Sequence, residues 1–298
     1  MPRPTPPHPL FILAPPRSFT SVIGTMLGQH PQLYGVPELH LFRYETVGNF
    51  FHGCSRAQFP MADGILRAIA QTLFGEQSVA TVQRADCWLR RRSHWTSGFL
   101  IEEIASIVSP QRLVEKSPST VFKMEYMLRS FEMFPEARFL HLVRHPLGFG
   151  KSIIKLLKLP RTQPGWLLDA AEDPGSVWYS LNTKICQFLE CVPQHLKMRV
   201  RGEDLLSEPD LKVGEIAQWI GLRGDEDAIT ATKHPERSPY ACFGPSNALY
   251  GLDFFFLQDP VLRPRVEAQT LSAPLPWRKD ETVFGPAIVD LARTFGYE

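Results

Sequence analysis

The sequence of 298 residues contains 32 lysines and arginines against 31 aspartates and glutamates, which leaves a formal net charge of +1. Hydrophobic residues make up 44% of the chain and exclude global disorder, whereas charged residues make up only 21% and form no long basic run. Nucleic acid held on a broad positive surface is therefore excluded as well, because neutralising phosphates requires clustered lysine and arginine.

The cysteines and the apolar segments indicate the compartment. The five cysteines are odd in number and form no CxxC pair, which argues against a disulfide framework or a structural zinc and favours a reducing environment. No apolar run approaches the ~20 residues of a membrane span, and the proline-rich start lacks the apolar centre of a signal peptide. We therefore expect a cytoplasmic protein that binds neither nucleic acid nor a membrane.

Predicted strands and helices alternate along the chain. Strands are predicted at residues 10–14, 112–114, 138–143 and 197–201. Helices are predicted to follow the first three strands and to cover most of 40–110, 211–220 and 286–295, while 233–280 shows no strong periodicity. This alternation predicts an α/β fold with a central, mostly parallel sheet flanked by helices. Residues 1–9 are predicted to be a flexible proline-rich tail, and residues 10–298 a single domain.

A turn rich in hydrogen-bond donors follows the first predicted strand. It contains Arg17, Ser18, Phe19, Thr20 and Ser21. A strand ends and a helix begins within five residues, so backbone N–H groups and the positive end of the helix converge with the arginine and the hydroxyls, as a dianionic phosphate requires. The pattern GxxxxGK[ST] is absent, which weakens a kinase interpretation. The alternative is an ordinary capped helix with a surface arginine.

A second pair of polar residues surrounds the end of the strand at 138–143. Arg144 comes directly after this strand, and Ser152 follows eight residues later in the predicted helix. Both are expected at the carboxyl edge of the sheet, where open α/β folds bind ligands. The alternative is an arginine paired with a carboxylate and an unrelated helical serine. Taken together, the two sites predict a ligand with two separated phosphates.

The motifs at both sites resemble those of a known enzyme family. The Pro-Arg-Ser-x-Thr-Ser turn, the Arg144 and Ser152 pair, and the sequence Glu-Lys-Ser-Pro at 115–118 are similar to motifs of sulfotransferases that use 3′-phosphoadenosine 5′-phosphosulfate (PAPS). Residues 202–206 and 219–222 are similar to a further segment of that family. Residues 37–41, 275–278 and 295–297 resemble bacterial sulfotransferases of natural-product assembly lines. The resemblance extends over residues 10–297 and implies a P-loop-like sulfotransferase fold.

The resemblance also implies how the donor is held. Arg17, Ser18, Thr20 and Ser21 would hold the 5′-phosphosulfate, whereas Arg144 and Ser152 would hold the 3′-phosphate, with 3′,5′-adenosine bisphosphate (PAP) as product. Two positions depart from the family. Phe19 stands where the family usually has glycine, which removes backbone freedom from the loop. Gly202 stands where many members have a tyrosine near the adenine, so the residue that stacks on adenine stays unassigned.

Sulfuryl transfer needs a general base for the acceptor and a cation near the leaving oxygen. Glu38, 21 residues after Arg17, is the candidate base and His40 its rival, because an ordinary histidine pKa suits proton transfer. Lys116, at the end of a predicted strand, is the candidate cation. Each has a structural alternative: a capping glutamate, a core histidine and a surface lysine. No metal is required, and no motif such as HExxH is present.

Several classes of acceptor are compatible with the sequence. We expect transfer to a hydroxyl, or to an amine or guanidine nitrogen, of a small natural-product-type molecule bound under residues 40–110 and 233–260. The alternative acceptor is a β-hydroxyacyl chain on an acyl carrier protein, for which the only local docking candidate is the cluster Arg84, Arg90, Arg91 and Arg92. A nucleotide kinase and a catalytically inactive nucleotide-binding module are the competing functions.

Overall fold

The computed structural model describes residues 5–56, 61–159, 167, 172–263, 269–278 and 282–298, so residues 1–4 of the predicted tail at 1–9 lie outside the described residues. Within these ranges the strands are β1 (Leu10–Leu13), β2 (Leu33–Gly35), β3 (Arg112–Glu115), β4 (Arg138–Val143) and β5 (Lys197–Arg201). They form one sheet in the order β2-β3-β1-β4-β5, and every pairing is parallel. The predicted α/β fold with a parallel central sheet is confirmed.

Helices flank this sheet. They are α1 (Thr20–Leu27), α2 (Val47–Arg56), α3 (Asp63–Phe74), α4 (Val79–Arg90), α5 (Ser97–Val108), α6 (Met124–Met133), α7 (Pro146–Leu157), α8 (Pro174–Glu190), α9 (Gly202–Ser207), α10 (Pro209–Ile220), α11 (Glu226–Thr232), α12 (Phe254–Gln258) and α13 (Pro286–Thr294). Short 3₁₀ helices cover Leu41–Arg43, Pro118–Val121, Gln194–Leu196 and Pro235–Arg237. None of the helices described is long and apolar enough to cross a membrane.

The central strand β1 explains why its sequence is a continuous apolar run. Phe11 and Leu13 contribute to the hydrophobic core on one face of the sheet, whereas Leu10 and Ile12 contribute to the core on the other. Successive side chains of a strand point to opposite faces, so a strand covered by helices on both sides needs apolar residues at every position. The five strands run parallel, and their carboxyl ends therefore lie along one edge of the sheet.

The segment without clear periodicity is held by a buried arginine. Arg67, fully buried on α3, donates from Nη1 to the carbonyl of Tyr250 (2.6 Å) and from Nη2 to that of Cys242 (2.9 Å). Its Nε donates to Gln77 Oε1 at 2.6 Å. Arg67 thus supplies hydrogen-bond donors to backbone carbonyls of residues 240–250. These bonds hold the segment in place without a repeating pattern of hydrophobic side chains, so the sequence shows no periodicity there.

Candidate functional site

A cavity of about 900 Å³ lies at the carboxyl edge of the sheet. Its wall contains residues that follow the ends of four strands: Pro16 and Arg17 after β1, Glu38 after β2, Pro118 after β3, and Arg144 after β4. The segment that includes Asp253 and α12 forms part of the same wall. Both predicted phosphate sites and both candidate bases therefore open on one space.

The loop after β1 has an unusual backbone. Arg17 (φ 67°) and Phe19 (φ 63°) both adopt the left-handed conformation, although neither is a glycine. Each such residue costs about 1–2 kcal/mol, so two within three positions must be held by their surroundings. Glycine adopts this conformation without a steric penalty, whereas a phenylalanine must be held in it. The loop nevertheless leads directly into α1, as the sequence predicts.

Arg17 is the centre of the hydrogen bonds around this loop. It forms an ion pair with Asp253, and its Nε donates to Ser152 Oγ at 3.0 Å. The backbone N–H of Asp253 donates to Ser21 Oγ at 3.0 Å. The Asp253 carboxylate thus lies where an anionic ligand of Arg17 would bind. Thr20 and Ser21 line the cavity beside Arg17, whereas Ser18 is fully buried and does not.

Arg144 joins the second predicted site to the first. Its Nη1 donates to the carbonyl oxygen of Arg17 at 2.6 Å, and its Nε is buried with no hydrogen-bond partner in the described part of the chain. Burial lowers the pKa of Arg144 to about 10, partly opposed by the negative charge of Glu203, so the guanidinium stays charged at neutral pH. A buried cation with an orphaned N–H fits an anionic ligand. Ser152 contacts Arg17 directly.

Phe19 and Gly202, both singled out in the sequence, meet in space. The ring of Phe19 lies under the guanidinium of Arg144, with the ring centroid 4.1 Å from Cζ. A Cβ atom added to Gly202 would lie 2.5 Å from Cδ2 of Phe19. The phenylalanine ring therefore occupies the space that a side chain at position 202 would need. Sequence reasoning found each departure but not their contact, because 183 positions separate them.

The candidate base, its rival and the candidate cation lie together. Glu38 Oε2 is 3.5 Å from His40 Nε2, and Glu38 Oε1 is 3.9 Å from Lys116 Nζ. The other ring nitrogen of His40, Nδ1, is 2.8 Å from Ser119 Oγ, which fixes the orientation of the ring. A Cβ at Gly24 would lie 2.2 Å from Lys116 Cδ, so this glycine makes room for the buried lysine stem.

The charged groups of this cluster shift one another's pKa values. Burial acts to raise the pKa of Glu38, but the hydrogen bond from His40 and the charge of Lys116 outweigh it, and the pKa lies below its usual value. Burial lowers the pKa of Lys116, against the attraction of Glu38 and Glu115. Lys116 is buried behind the wall, and its Nζ makes no hydrogen bond in the part of the chain described. The cluster offers an ionised carboxylate next to a cation.

Two charged residues of the cavity that sequence analysis did not single out are Asp253 and Arg43. Asp253 caps α12 by accepting hydrogen bonds from the N–H groups of Phe255 and Phe256, and an aspartate before an aromatic run was the only signal available. Arg43 lines the cavity from the 3₁₀ turn that follows His40. Its sequence context gives no signal, because it stands among apolar and aromatic residues.

Comparisons with known proteins agree with this geometry. A model of the sulfotransferase family matches residues 9–227. The sulfotransferase domain of the Synechococcus PCC 7002 olefin synthase is similar, with a TM-score of 0.74 and 25% identity over 100% of this chain and 98% of that chain. The sulfotransferase domain from the curacin biosynthetic pathway has the same fold, with a TM-score of 0.74 and 19% identity over 98% of both chains. No curated protein matches this chain with significance.

Proposed function

This chain is a member of the sulfotransferase family, and from that membership we propose that it transfers the sulfuryl group of PAPS to a hydroxyl group of a small natural-product-type molecule. The observation that carries the proposal is the convergence of two arginines and a base on one cavity. Arg17 and Arg144 stand on neighbouring strand ends and are joined through a hydrogen bond of 2.6 Å, and Glu38 shares their cavity. Such an arrangement suits a doubly phosphorylated donor beside a deprotonated acceptor.

The residues present fit the donor. Arg144 would hold the 3′-phosphate, since its buried Nε lacks a partner and its charge persists at neutral pH. Arg17, Thr20 and Ser21 would hold the 5′-phosphosulfate, with Ser152 bridging the two sites through Arg17. For the donor to bind, its phosphate must replace the Asp253 carboxylate on Arg17. One charged partner then exchanges for another, which keeps the cost of binding small.

The proposed reaction is an in-line displacement at sulfur. The acceptor oxygen forms a bond to sulfur while the bond from sulfur to the bridging oxygen of the 5′-phosphate breaks, and its electron pair leaves with PAP. Glu38 accepts the hydroxyl proton, because its lowered pKa keeps it ionised, and His40 at 3.5 Å holds the carboxylate in place. Lys116 contributes positive charge from behind the wall.

Two observations bear on whether the acceptor is free or bound to a carrier. The olefin synthase relative is a domain of a synthase, which favours a carrier-linked acyl chain. Against this, three of the four arginines expected to dock an acidic carrier are engaged locally: Arg84 stacks on Phe74, Arg90 pairs with Asp86 at 2.7 Å, and Arg92 stacks on Trp88. We therefore propose a free acceptor, with a carrier-bound β-hydroxyacyl chain as the second candidate. A cytoplasmic location is proposed with it, because all five cysteines are free.

Intact-mass analysis tests the proposal. The protein is incubated with PAPS and a panel of hydroxylated acceptors. Each acceptor is offered both free and linked to a carrier, and the masses of the products are measured. We expect one sulfuryl group to be added to a free acceptor, with release of PAP. Binding of PAP without any product would indicate an inactive module, and transfer that requires ATP and magnesium would indicate a kinase. A hundredfold faster reaction of the carrier-linked form of one acceptor would reverse the choice between acceptors.

A further inference from the structure

The cavity wall also contains an arginine, Arg43, that has no acidic partner among the residues described. Arg43 ends the 3₁₀ turn Leu41–Arg43, in which Leu41 and Phe42 are buried in the core while Arg43 lines the cavity. Arg129 Nη1 donates to the carbonyl of Phe42 at 2.5 Å and so holds the turn in place. The backbone that carries the Arg43 side chain is therefore held in position, on the same chain segment as His40.

The hydrogen-bonding groups of this guanidinium are poorly satisfied. Among the described residues, Nε of Arg43 is buried without a hydrogen-bond partner, and the one acceptor of Nη1 is the thioether sulfur of Met61, at 3.5 Å. The ring of Tyr44 lies 5.7 Å from its Cζ. Throughout the described ranges the side chain takes part in no ion pair. A thioether is a weak acceptor, so neither Nε nor Nη1 of this guanidinium has a strong acceptor among the described residues.

Two other arginines of the cavity have acidic partners, whereas Arg144 shares with Arg43 a buried Nε that lacks an acceptor among the described residues. Arg17 pairs with Asp253, and Arg263 pairs with Asp259 at the rim. Removing a guanidinium N–H from water without a partner is costly, and the planar group binds a carboxylate through two parallel hydrogen bonds. The unused donors of Arg43 thus match one anionic group of a ligand that enters beside the base.

We propose that the acceptor is a hydroxy acid, whose carboxylate binds Arg43 while its hydroxyl lies at Glu38 and His40. This inference rests on the proposed function and narrows its acceptor to one chemical class. A neutral alcohol leaves Arg43 unpaired, and an acyl chain linked to a carrier as a thioester has no free carboxylate to offer. The anchored carboxylate would fix which hydroxyl of the acceptor faces the donor.

Binding of matched ligands by calorimetry tests the proposal, with and without saturating PAP. The probes are 3-, 6- and 10-hydroxydecanoic acid, each compared with its primary amide, which keeps the shape and removes the charge. We expect at least one acid to bind about 10- to 100-fold more tightly than its amide. Arg43→Gln should abolish this preference and leave the affinity for the amide unchanged. The matched control Arg263→Gln, at the rim of the same cavity, should keep the preference.

Three results would overturn the proposal: equal binding of every acid and its amide to the unaltered protein, equal loss of acid and amide binding in Arg43→Gln, or loss of the preference in Arg263→Gln. If Arg43→Gln does not fold, Arg43→Lys serves instead. Lysine keeps the positive charge but lacks the two parallel N–H donors of a guanidinium, so Arg43→Lys should reduce the preference for the acid over the amide severalfold. Because binding is measured rather than turnover, a retained acid preference without sulfuryl transfer would count against the proposed function alone.

Discussion

The contact between Phe19 and Gly202 predicts a strong coupling between two substitutions. Gly202→Ala places a Cβ atom 2.5 Å from Cδ2 of Phe19, well inside van der Waals contact. Because the Phe19 backbone is left-handed and its ring is held under Arg144, the ring must move and disturb the arginine. Phe19→Gly removes the ring and relieves the backbone, so Gly202→Ala should then be tolerated.

The magnitudes follow from the local geometry. Overpacking costs about 1–3 kcal/mol, whereas a glycine replaced by alanine in a helix without a clash gains about 0.5–1 kcal/mol. Gly202→Ala should therefore destabilise the unaltered protein by about 1–2 kcal/mol and stabilise the Phe19→Gly variant by about 0.5–1 kcal/mol. Phe19→Gly alone should destabilise the protein, since the relief of about 1–2 kcal/mol at φ 63° offsets only part of the packing that the ring loses against the core cluster and the guanidinium.

Urea unfolding of the four proteins in this double-mutant cycle measures the coupling, which should be about 2 kcal/mol. The matched control is Gly214→Ala on α10, where an added Cβ meets nothing within 4 Å, and it should be neutral or stabilising in both backgrounds. If Gly202→Ala has the same effect with and without the Phe19 ring, the coupling is absent and the reasoning is refuted.

Three further predictions address the base, the buried cation and pH. Glu38→Gln should lower turnover by about 10²–10⁴-fold yet keep PAP affinity within a few-fold in calorimetry; a near-normal rate, with loss of rate in His40→Ala, would transfer the role to His40. Gly24→Ala should reduce turnover by displacing the stem of Lys116, whose Cδ lies 2.2 Å from the added Cβ, and unchanged kinetics would show that the lysine position is not critical. Burial lowers the pKa of His141 to about 3, so this histidine contributes stability above its unfolded pKa of about 6.5 and loses it as pH falls. The free energy of unfolding should then decline by about 1.4 kcal/mol per pH unit more steeply between pH 6 and 4 than in His141→Gln, and equal slopes would contradict the assignment.

Much of the sheet could be predicted from local pattern. The strand at 138–143 is predicted with the bounds of β4, because an apolar run ends abruptly at a charged residue and a proline turn. β2 was missed, since Leu33–Gly35 is three residues long and its pairing with β3 depends on residues 112–114, far along the chain. Short strands carry too little periodicity to be read without their partners.

The candidate site, like the sheet, could be predicted from the sequence only in part. Strand ends brought Arg17 and Arg144 to one edge of the sheet, because the carboxyl ends of parallel strands share an edge. The ion pair of Arg17 with Asp253 joins residues 236 positions apart, and no local pattern encodes such a contact. The burial of Ser18 away from the cavity likewise follows from the left-handed residues on either side of it, which sequence propensity does not predict.

The central claim is that this cavity binds a nucleotide carrying a 3′-phosphate on Arg144. Calorimetry of PAP and of adenosine 5′-monophosphate, which lacks that phosphate, tests it most directly in the unaltered protein and in Arg144→Ala. We predict that the substitution weakens PAP binding by about 2–4 kcal/mol and affects the monophosphate far less, because a charge-assisted pair is lost from the 3′-phosphate alone. Equal losses for the two nucleotides, or no preference for PAP in the unaltered protein, would contradict the account.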